Sequence, residues 1–435
     1  MPALVLSTSL RSTPLRSGLG AYTPSLLLDF TSNQMLDPRI TFTRSSTATY
    51  YDQLGVLSTA AIDAPRFDYN PTTLAPLGLL IEEQQTNLLT YSEQFNAAAW
   101  TKSRVTITAD AIVSPDGTMD ADKMTDDTGT GSHTVRNATS VTITSGTTLT
   151  ASVFAKAAEG AYVIVGIGDG GGSNISRATF NLSTKEITNL TTPAANVSAP
   201  IPVITSVGNG WYRCTVTATV TGVTAAQQWI FKGANSNGSA TYTGDGTSGI
   251  YIYGAQLEAG AFATSYIPTV ASQVTRAADA AVMTGTNFSS WYNATEGTLL
   301  VEFAWEGLRS VAGQRIMILD DGTNTTYWGL LATGGNGMQN PVVISGTTEA
   351  TNSTPSTVYT ASTPYKQAVA LALNNSVGAI NRTAGTTDTT VGVPSGLTTA
   401  RFAATSTGTV SNIWFRKIAY YPRRLTNNEL QGITS

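Results

Sequence analysis

Two glutamates at strand spacing come nearest to a catalytic pair in this sequence. They frame the segment Glu302-Phe303-Ala304-Trp305-Glu306. Alternation along a strand puts both on one face, and four residues of strand separate their α-carbons by roughly 13 Å. A glycosidase needs its two carboxyl groups about 5–5.5 Å apart to retain configuration, or about 6.5–9.5 Å apart to invert it. We therefore interpret both as solvated glutamates, with a polysaccharide-degrading enzyme as the alternative.

The numbers of cysteine and histidine residues argue against a nucleophilic active site and against a zinc site. The chain has one cysteine, Cys214, and one histidine, His133, so Cys₄ and Cys₂His₂ zinc sites cannot be assembled. Cys214 occupies an inward position of an alternating strand and is expected in the core. Loop aspartates match no EF-hand spacing and are interpreted as turn residues, with a structural calcium as the alternative; they are Asp116, Asp120, Asp122, Asp126 and Asp127. We predict no catalytic residue, no metal site and no cofactor.

The side chains best suited to a ligand lie in the loop 320–328. It combines carboxylates, an amide and two adjacent aromatic residues, the mixture that a sugar site uses: Asp320, Asp321, Asn324, Tyr327 and Trp328. Period two sends Tyr327 and Trp328 to opposite faces, so the alternative remains that Trp328 is core and Tyr327 borders a turn. A second predicted ligand surface lies near Trp229 and Tyr251, on strands whose two faces are both apolar.

Composition limits the classes of function. Charged residues make up 12% of the chain, about half the roughly 25% usual in soluble domains. The net charge is −4, and no run of Lys and Arg supplies the basic stripe that nucleic-acid binding requires. No segment approaches the ~20 apolar residues of a membrane span. The N-terminus lacks the basic region of a signal peptide, so we expect no secretion signal.

The elements that must position these residues are strands. In Trp211–Val220, apolar residues alternate with Arg213 and threonines, as in a half-buried strand. Similar segments occur at 148–156, 161–167, 228–232 and 249–258, separated by Gly-rich turns. A C-terminal helix is predicted after Pro422, where Thr426 and Glu429 form a capping box. Many short strands with little helix predict an all-β fold of sandwiches.

Five segments follow from this pattern. We predict an extended docking arm at 1–30, a small irregular β region at 31–85, a jelly-roll sandwich at 86–270, a connector at 271–296 and a second sandwich at 297–435. The arm contains Pro14 and Pro24, which interrupt regular structure, and lacks a core-forming period.

Three motifs in fixed order carry a resemblance to known proteins. They are Gly78-Leu79-Leu80-Ile81-Glu82-Glu83 through Ser92, Gly208-Asn209-Gly210-Trp211-Tyr212-Arg213, and Gly254-Ala255-Gln256-Leu257-Glu258-Ala259-Gly260. Over roughly residues 40–290 the chain resembles phage structural proteins whose middle domain is a jelly roll like carbohydrate-binding modules. The resemblance implies a tail fibre, spike or head fibre subunit.

The C-terminal segment Phe415-Arg416-Lys417-Ile418-Ala419-Tyr420-Tyr421-Pro422 resembles the closing strand of a concanavalin-A-type, laminin-G-like lectin sandwich. Some sandwiches of this kind are glucanases with a Glu-x-Asp-x-Glu strand, but Ala304 replaces the central Asp here. The resemblance implies a virion protein, assembled in the host cytoplasm, that joins other virion proteins through its arm and binds host cell-surface polysaccharide. It further implies a homotrimer. A capsid decoration protein without a ligand is the remaining alternative.

Overall fold

The computed structural model describes residues 23–308, 313–352 and 358–435. Nearly all regular structure is strand, which confirms the predicted all-β fold built from sandwiches. Within these residues, no helix has the length and apolar character needed to cross a membrane. Residues 1–22, most of the predicted docking arm, lie outside the described residues.

The strands of the N-terminal part are short and separated by long turns. They are β1 (Leu26–Asp29), β2 (Thr41–Thr43), β3 (Ala48–Tyr51), β4 (Leu57–Ala60), β5 (Arg66–Tyr69), β6 (Pro76–Ile81) and β7 (Gln85–Asn87).

The strands of the middle part include the longest of the chain. They are β8 (Trp100–Ser103), β9 (Val105–Val113), β10 (Met119–Asp126), β11 (Thr130–Ser132), β12 (Thr134–Asn137), β13 (Val141–Thr142), β14 (Thr147–Ala157), β15 (Tyr162–Gly168), β16 (Ile175–Asn181), β17 (Glu186–Thr191), β18 (Ile201–Ser206), β19 (Trp211–Val220), β20 (Ala225–Gly233), β21 (Thr241–Thr243) and β22 (Gly249–Ala259).

The C-terminal part adds further strands and two short helices. They are β23 (Val274–Arg276), β24 (Ala280–Thr284), α1 (Thr286–Ser289), β25 (Glu296–Trp305), β26 (Gln314–Asp320), β27 (Tyr327–Ala332), β28 (Met338–Ile344), β29 (Thr347–Asn352), β30 (Pro364–Ala372), β31 (Asn375–Ile380), β32 (Thr383–Ala384), β33 (Thr399–Phe402), β34 (Ile413–Tyr421) and α2 (Asn427–Ile433).

The first sandwich is formed by two antiparallel sheets from the middle part. Sheet 1 has the order β18-β19-β14-β22-β10-β9, and sheet 2 the order β17-β16-β15-β20-β12-β8, with β13 beside β20. Between them lies a core that includes Val153, Val165, Ile230 and Ile252. Cys214 is fully buried in this core, as predicted, and burial raises the pKa of its thiol.

The second sandwich combines strands from both ends of the chain. Sheet 3 has the order β32-β31-β30-β25-β34-β6-β5, with β1 paired to β34, and sheet 4 has the order β2-β24-β33-β26-β27-β28-β29. Helix α2 covers the outer face of sheet 3, where Leu425 and Leu430 are buried. The predicted capping box of Thr426 and Glu429 is present.

These pairings cross the predicted segment boundaries. Residues 26–29 had been assigned to the arm, but they form β1 against β34, with Leu26 and Leu28 buried in the second core. Strands β5 and β6 of the predicted separate region extend sheet 3 beside β34. Strand β24 of the predicted connector lies in sheet 4. The first sandwich is therefore inserted between two parts of the second, because apolar N-terminal strands complete the second core.

Candidate functional site

The predicted ligand loop 320–328 does not present all its residues on one surface. Asp320 is 1% exposed, and its Oδ2 accepts a 2.6 Å hydrogen bond from Nε of Arg401. Trp328 is also 1% exposed and packs in the core of the second sandwich. Neither residue can contact a ligand at the surface, because the indole of Trp328 packs in the core and the carboxylate of Asp320 forms an ion pair with Arg401. The alternative that Trp328 belongs to the core is therefore confirmed, and the predicted ligand contact by Asp320 is wrong.

The other residues of the loop remain closer to solvent. Asn324 is exposed, and its Oδ1 accepts a 3.1 Å hydrogen bond from the backbone N–H of Ser406. Tyr327 is half-buried beneath Arg315, whose guanidinium carbon lies 4.6 Å from the ring centroid. Asp321 is also half-buried and accepts a 2.6 Å hydrogen bond from the hydroxyl of Thr323. Ligand binding by Asp321, Asn324 and Tyr327 stays a prediction.

Trp229 and Tyr251, predicted as parts of one surface, lie on opposite outer faces of the first sandwich. On β20, Ile230 points into the core and Trp229 points outward from sheet 2. On β22, Ile250 and Ile252 point into the core, so the half-buried Tyr251 points outward from sheet 1. One ligand cannot contact both, since the whole sandwich separates them.

Trp229 is the centre of a row of side chains that runs across sheet 2. Strand register aligns Thr101, Arg136, Trp229, Gly166, Arg177 and Thr191 on neighbouring strands, from β8 to β17. The four central residues of the row are flanked along their strands by core side chains, such as Val135, Val165, Ala178 and Ile230, so these four point outward, and Thr101 and Thr191 extend the row at its ends. We call these six residues the Trp229 strip. Five strand spacings of about 4.8 Å give it a length of roughly 24 Å.

Two guanidinium groups of the strip each lie over one ring of an aromatic pair. The rings of Trp229 and Phe231 are stacked, with centroids 5.7 Å apart and planes 13° apart. The guanidinium carbon of Arg136 lies 4.9 Å from the Trp229 centroid, and that of Arg177 lies 5.4 Å from the Phe231 centroid. Cation–π contacts of this kind hold each guanidinium in one orientation.

Two chain segments border the strip. On one side, Ala240 packs with Ile164 and Phe231, so the segment before β21 covers the row that neighbours the strip. On the other, the turn between β15 and β16 approaches Trp229 closely. Gly172 has a φ of +73° there, and a Cβ at this position would lie 3.0 Å from Cζ2 of Trp229. A side chain at this position would press on the indole, so glycine allows the turn to close against it.

A cavity of about 580 Å³ lies between the two sandwiches. Its walls come from the outer face of sheet 1, the outer face of sheet 3 and the segment from β3 to β5, and most lining side chains are apolar or aromatic. They include Tyr50, Tyr51, Tyr69, Phe154, Ile201, Val203, Leu80 and Trp414. Its size and its position between domains are those of many ligand pockets.

Three charged side chains around this cavity, those of Asp68, Arg213 and Arg416, already have hydrogen-bond partners within the protein. Asp68 accepts 2.8 Å hydrogen bonds from the backbone N–H of Tyr51 and from Nε1 of Trp414, and burial raises its pKa to about 6. Nη1 of Arg213 donates to the carbonyl of Thr264 at 2.7 Å. Nε of Arg416 donates to Oε1 of Glu302 at 3.1 Å. The cavity therefore offers a ligand fewer free polar groups than its composition suggests.

The two candidate catalytic glutamates have different environments. Glu302 is ion-paired with Arg416, whereas Glu306 lines the cavity with its Oε2 buried. Burial and the neighbouring charge of Glu82 raise the pKa of Glu306 well above its ordinary value, which favours the neutral carboxyl group. Burial also acts to raise the pKa of Glu82, but Arg276 and Arg66 outweigh it and lower that pKa. Glu306 thus contacts Glu82, not Glu302.

Within the described part of the chain, no group of three or more His, Cys, Asp or Glu side chains is placed to hold a metal ion. Three of the aspartates interpreted as turn residues, Asp120, Asp122 and Asp126, lie instead in strand β10, so that interpretation is wrong for them. Asp122 is buried, and its Oδ2 accepts a 2.9 Å hydrogen bond from the backbone N–H of Phe95. Burial raises the pKa of Asp122 to about 6. This carboxylate therefore has a structural partner.

Sequence reasoning identified Trp229 but missed Arg136 and Arg177. Each arginine stands between inward-pointing neighbours, namely Val135 for the first and Ala178 for the second. That alternation was readable in the sequence and indicates an outward position. The alignment of both arginines with Trp229 depends on strand order and register, which no local pattern contains.

No protein-family model and no curated protein sequence matches the chain. Among solved structures, it is similar to Ruminococcus gnavus IT-sialidase CBM40, with 15% identity, a TM-score of 0.30, and coverage of 34% of this chain and 88% of that one. The same module has been solved bound to alpha2,6 sialyllactose. Trypanosoma rangeli sialidase shows 9% identity, a TM-score of 0.28, and coverage of 60% and 47%. TM-scores this low carry no argument about fold or function.

Proposed function

We propose that this protein is a glycan-binding structural subunit of a bacteriophage virion appendage, and that the Trp229 strip is its glycan site. Host cell-surface polysaccharide is the proposed ligand, bound during adsorption. The proposal includes no catalytic step.

The Trp229 strip is the observation that carries the glycan part of the proposal. It combines a half-buried indole, two guanidinium groups and the hydroxyls of Thr101 and Thr191 in one row on an outer sheet face. Sugar sites use apolar aromatic surface beside a few oriented polar groups. An open row of roughly 24 Å also suits a polymer, because a chain can pass across it without a free end.

The inter-sandwich cavity is the weaker candidate. Asp68, Arg213 and Arg416 already have hydrogen-bond partners, and polar groups that are engaged in the free protein contribute little to a ligand. Hydrolysis is disfavoured because Glu302 is ion-paired with Arg416, whereas Glu306 is buried and interacts with Glu82, so the two carboxyl groups do not form a pair. A polysaccharide-degrading enzyme and a decoration protein without a ligand remain the competing functions.

The virion part of the proposal is supported by the sequence resemblance to phage fibre and spike proteins in the three ordered motifs. In this account the N-terminal residues before β1 attach the subunit to other virion proteins. The resemblance also supports a homotrimer. A particle map that locates this chain is the direct test, and absence of the chain from purified particles contradicts the proposal.

Glycan binding is tested on a panel of immobilised bacterial capsular and O-chain polysaccharides. We expect the wild-type protein to bind at least one, and Trp229→Ala to weaken that binding about tenfold or more. Tyr327→Ala is the matched control, because it removes an arginine-stacked aromatic ring from the second sandwich. Binding to no polysaccharide contradicts the proposed function, and loss in Tyr327→Ala alone assigns the site to the loop 320–328.

A further inference from the structure

Arg136 and Arg177 carry positive charges that the protein itself does not neutralise. Among the residues that the structure describes, neither guanidinium has a carboxylate within ion-pair distance or a hydrogen-bond acceptor. Their contacts are instead the rings of Trp229 and Phe231. Both side chains are half-buried, so their N–H groups have lost part of their water without gaining acceptors.

Other arginines in this chain show the opposite arrangement. Arg44, Arg66 and Arg276 are fully buried, and each forms an ion pair with Asp279 or Glu82 at 2.5–3.0 Å. At these three buried positions the chain supplies a carboxylate for each guanidinium. The two arginines of the strip therefore differ from the structural ones in having N–H donors left for something outside the chain.

The aromatic pair orients these donors. Each guanidinium is a planar fork of N–H donors, and the ring beneath it limits the orientations that this fork can take. A planar fork of this kind matches the two oxygens of a carboxylate. Burial lowers the pKa of Arg177, and an anion bound there would relieve that cost.

We propose that the glycan bound by the Trp229 strip is acidic, and that Arg136 and Arg177 bind carboxylate groups on its sugar residues. This inference rests on the proposed function. Because Arg136 on β12 and Arg177 on β16 are three strand spacings apart, roughly 14 Å, they contact carboxylates on different sugar residues, with the apolar part of the chain over Trp229. The strip therefore selects a polymer that carries acidic groups repeatedly, in preference to a single acidic sugar.

The test uses the same polysaccharide panel, with each acidic member printed both in native form and after chemical reduction of its carboxyl groups to alcohols. We expect binding to the native form and a loss of roughly tenfold to a hundredfold on reduction, the range for losing charge-assisted hydrogen bonds. Arg136→Gln and Arg177→Gln should weaken binding to the native form by a similar factor. Arg315→Gln, which alters an arginine stacked on Tyr327 elsewhere, is the matched control.

The outcomes separate this inference from the proposed function. Equal binding of native and reduced forms, abolished by Trp229→Ala, overturns the acidic class and leaves glycan binding intact. Binding of neutral polysaccharides alone also overturns the acidic class and leaves glycan binding intact. If the Gln variants lose the native and the reduced ligand equally, with native near-ultraviolet circular dichroism, the arginines act only on the shape of the site and the inference is wrong. Binding of no member of the panel contradicts the proposed function itself.

Discussion

Nη2 of Arg66 donates a 2.6 Å hydrogen bond to Oδ2 of Asp279, although 213 positions separate the two residues in the sequence. Asp279 also pairs with Arg44, and Arg66 also pairs with Glu82. All four side chains are inaccessible to solvent. This network joins strands before the first sandwich to the segment that follows it, and so fixes where the inserted sandwich begins and ends.

Breaking this network should destabilise the protein strongly. Asp279→Ala leaves Arg44 and Arg66 without a buried counter-charge, and removal of one partner from a buried ion pair costs about 3–5 kcal/mol. We expect a loss of that size in the unfolding free energy, measured by urea denaturation. Asp37→Ala, which breaks the more exposed pair with Arg39, should cost less than about 1 kcal/mol. Equal effects of the two variants would contradict a buried network.

The two adjacent carboxyl groups Glu82 and Glu306 should respond oppositely to neutralisation. Burial and the charge of Glu82 raise the pKa of Glu306 and so disfavour its charged form, and Glu306→Gln should therefore leave stability at pH 7 unchanged or increase it. Glu82 is ionised between Arg66 and Arg276, so Glu82→Gln should be destabilising by several kcal/mol. Urea denaturation of both variants at pH 7 decides this. If Glu306→Gln were destabilising and Glu82→Gln had no effect, the charged carboxyl group would be Glu306 and the neutral one Glu82, contrary to our assignment.

Asp68 should make stability fall as pH rises. Burial raises its folded-state pKa from 3.8 to about 6, so the unfolded chain releases this proton at lower pH than the folded protein does. Ionisation of Asp68 has no effect on the unfolding free energy below pH 4. Its effect develops between pH 4 and 6 and lowers the unfolding free energy by about 3 kcal/mol at neutral pH. The unfolding free energy of Asp68→Asn relative to wild type should therefore increase by up to that amount from pH 4 to 7. If the difference in unfolding free energy between Asp68→Asn and the wild type does not vary with pH, the raised pKa of Asp68 is contradicted.

Truncation should distinguish residues 1–22 from β1. Deletion of residues 1–30 removes β1 and the buried Leu26, Leu28 and Phe30 from the second core. We expect a fall in Tm of roughly 10 °C or more, because losing several buried apolar side chains costs several kcal/mol. Deletion of residues 1–22 removes none of the described contacts and should leave Tm unchanged. Equal Tm values for both truncations would show that β1 does not support the fold.

The sequence alone predicted the local elements well. The strand predicted at Trp211–Val220 has the bounds of β19 and the expected core face, although Thr215 and Thr217 on its other face are buried as well. The capping box of Thr426 and Glu429 begins α2. Alternation of apolar residues indicates which face of a strand is buried, and a capping box indicates where a helix begins. Both patterns involve residues that are close together in the sequence, so the sequence alone reveals them.

Long-range pairing was beyond local patterns. Nothing near Leu26 indicates that it pairs with Tyr420, because strand partners are chosen by the complete core. No local pattern indicates that Arg66 is buried, since arginine is seldom buried unless paired and its partner Asp279 lies 213 positions away. For Trp328, both faces of its strand are apolar, and only the packed structure shows that the indole points into the core.

The most direct test of the glycan site is fluorine NMR of protein labelled with 5-fluorotryptophan, recorded while a polysaccharide that binds the wild-type protein is added. The chain has seven tryptophans, and Trp→Phe variants assign their resonances. Because Trp229 is half-buried in the strip while Trp328 is enclosed in the second core, we expect the Trp229 resonance to shift and the Trp328 resonance to stay in place. A shift of the Trp414 resonance without one at Trp229 would place the ligand in the inter-sandwich cavity and contradict the account.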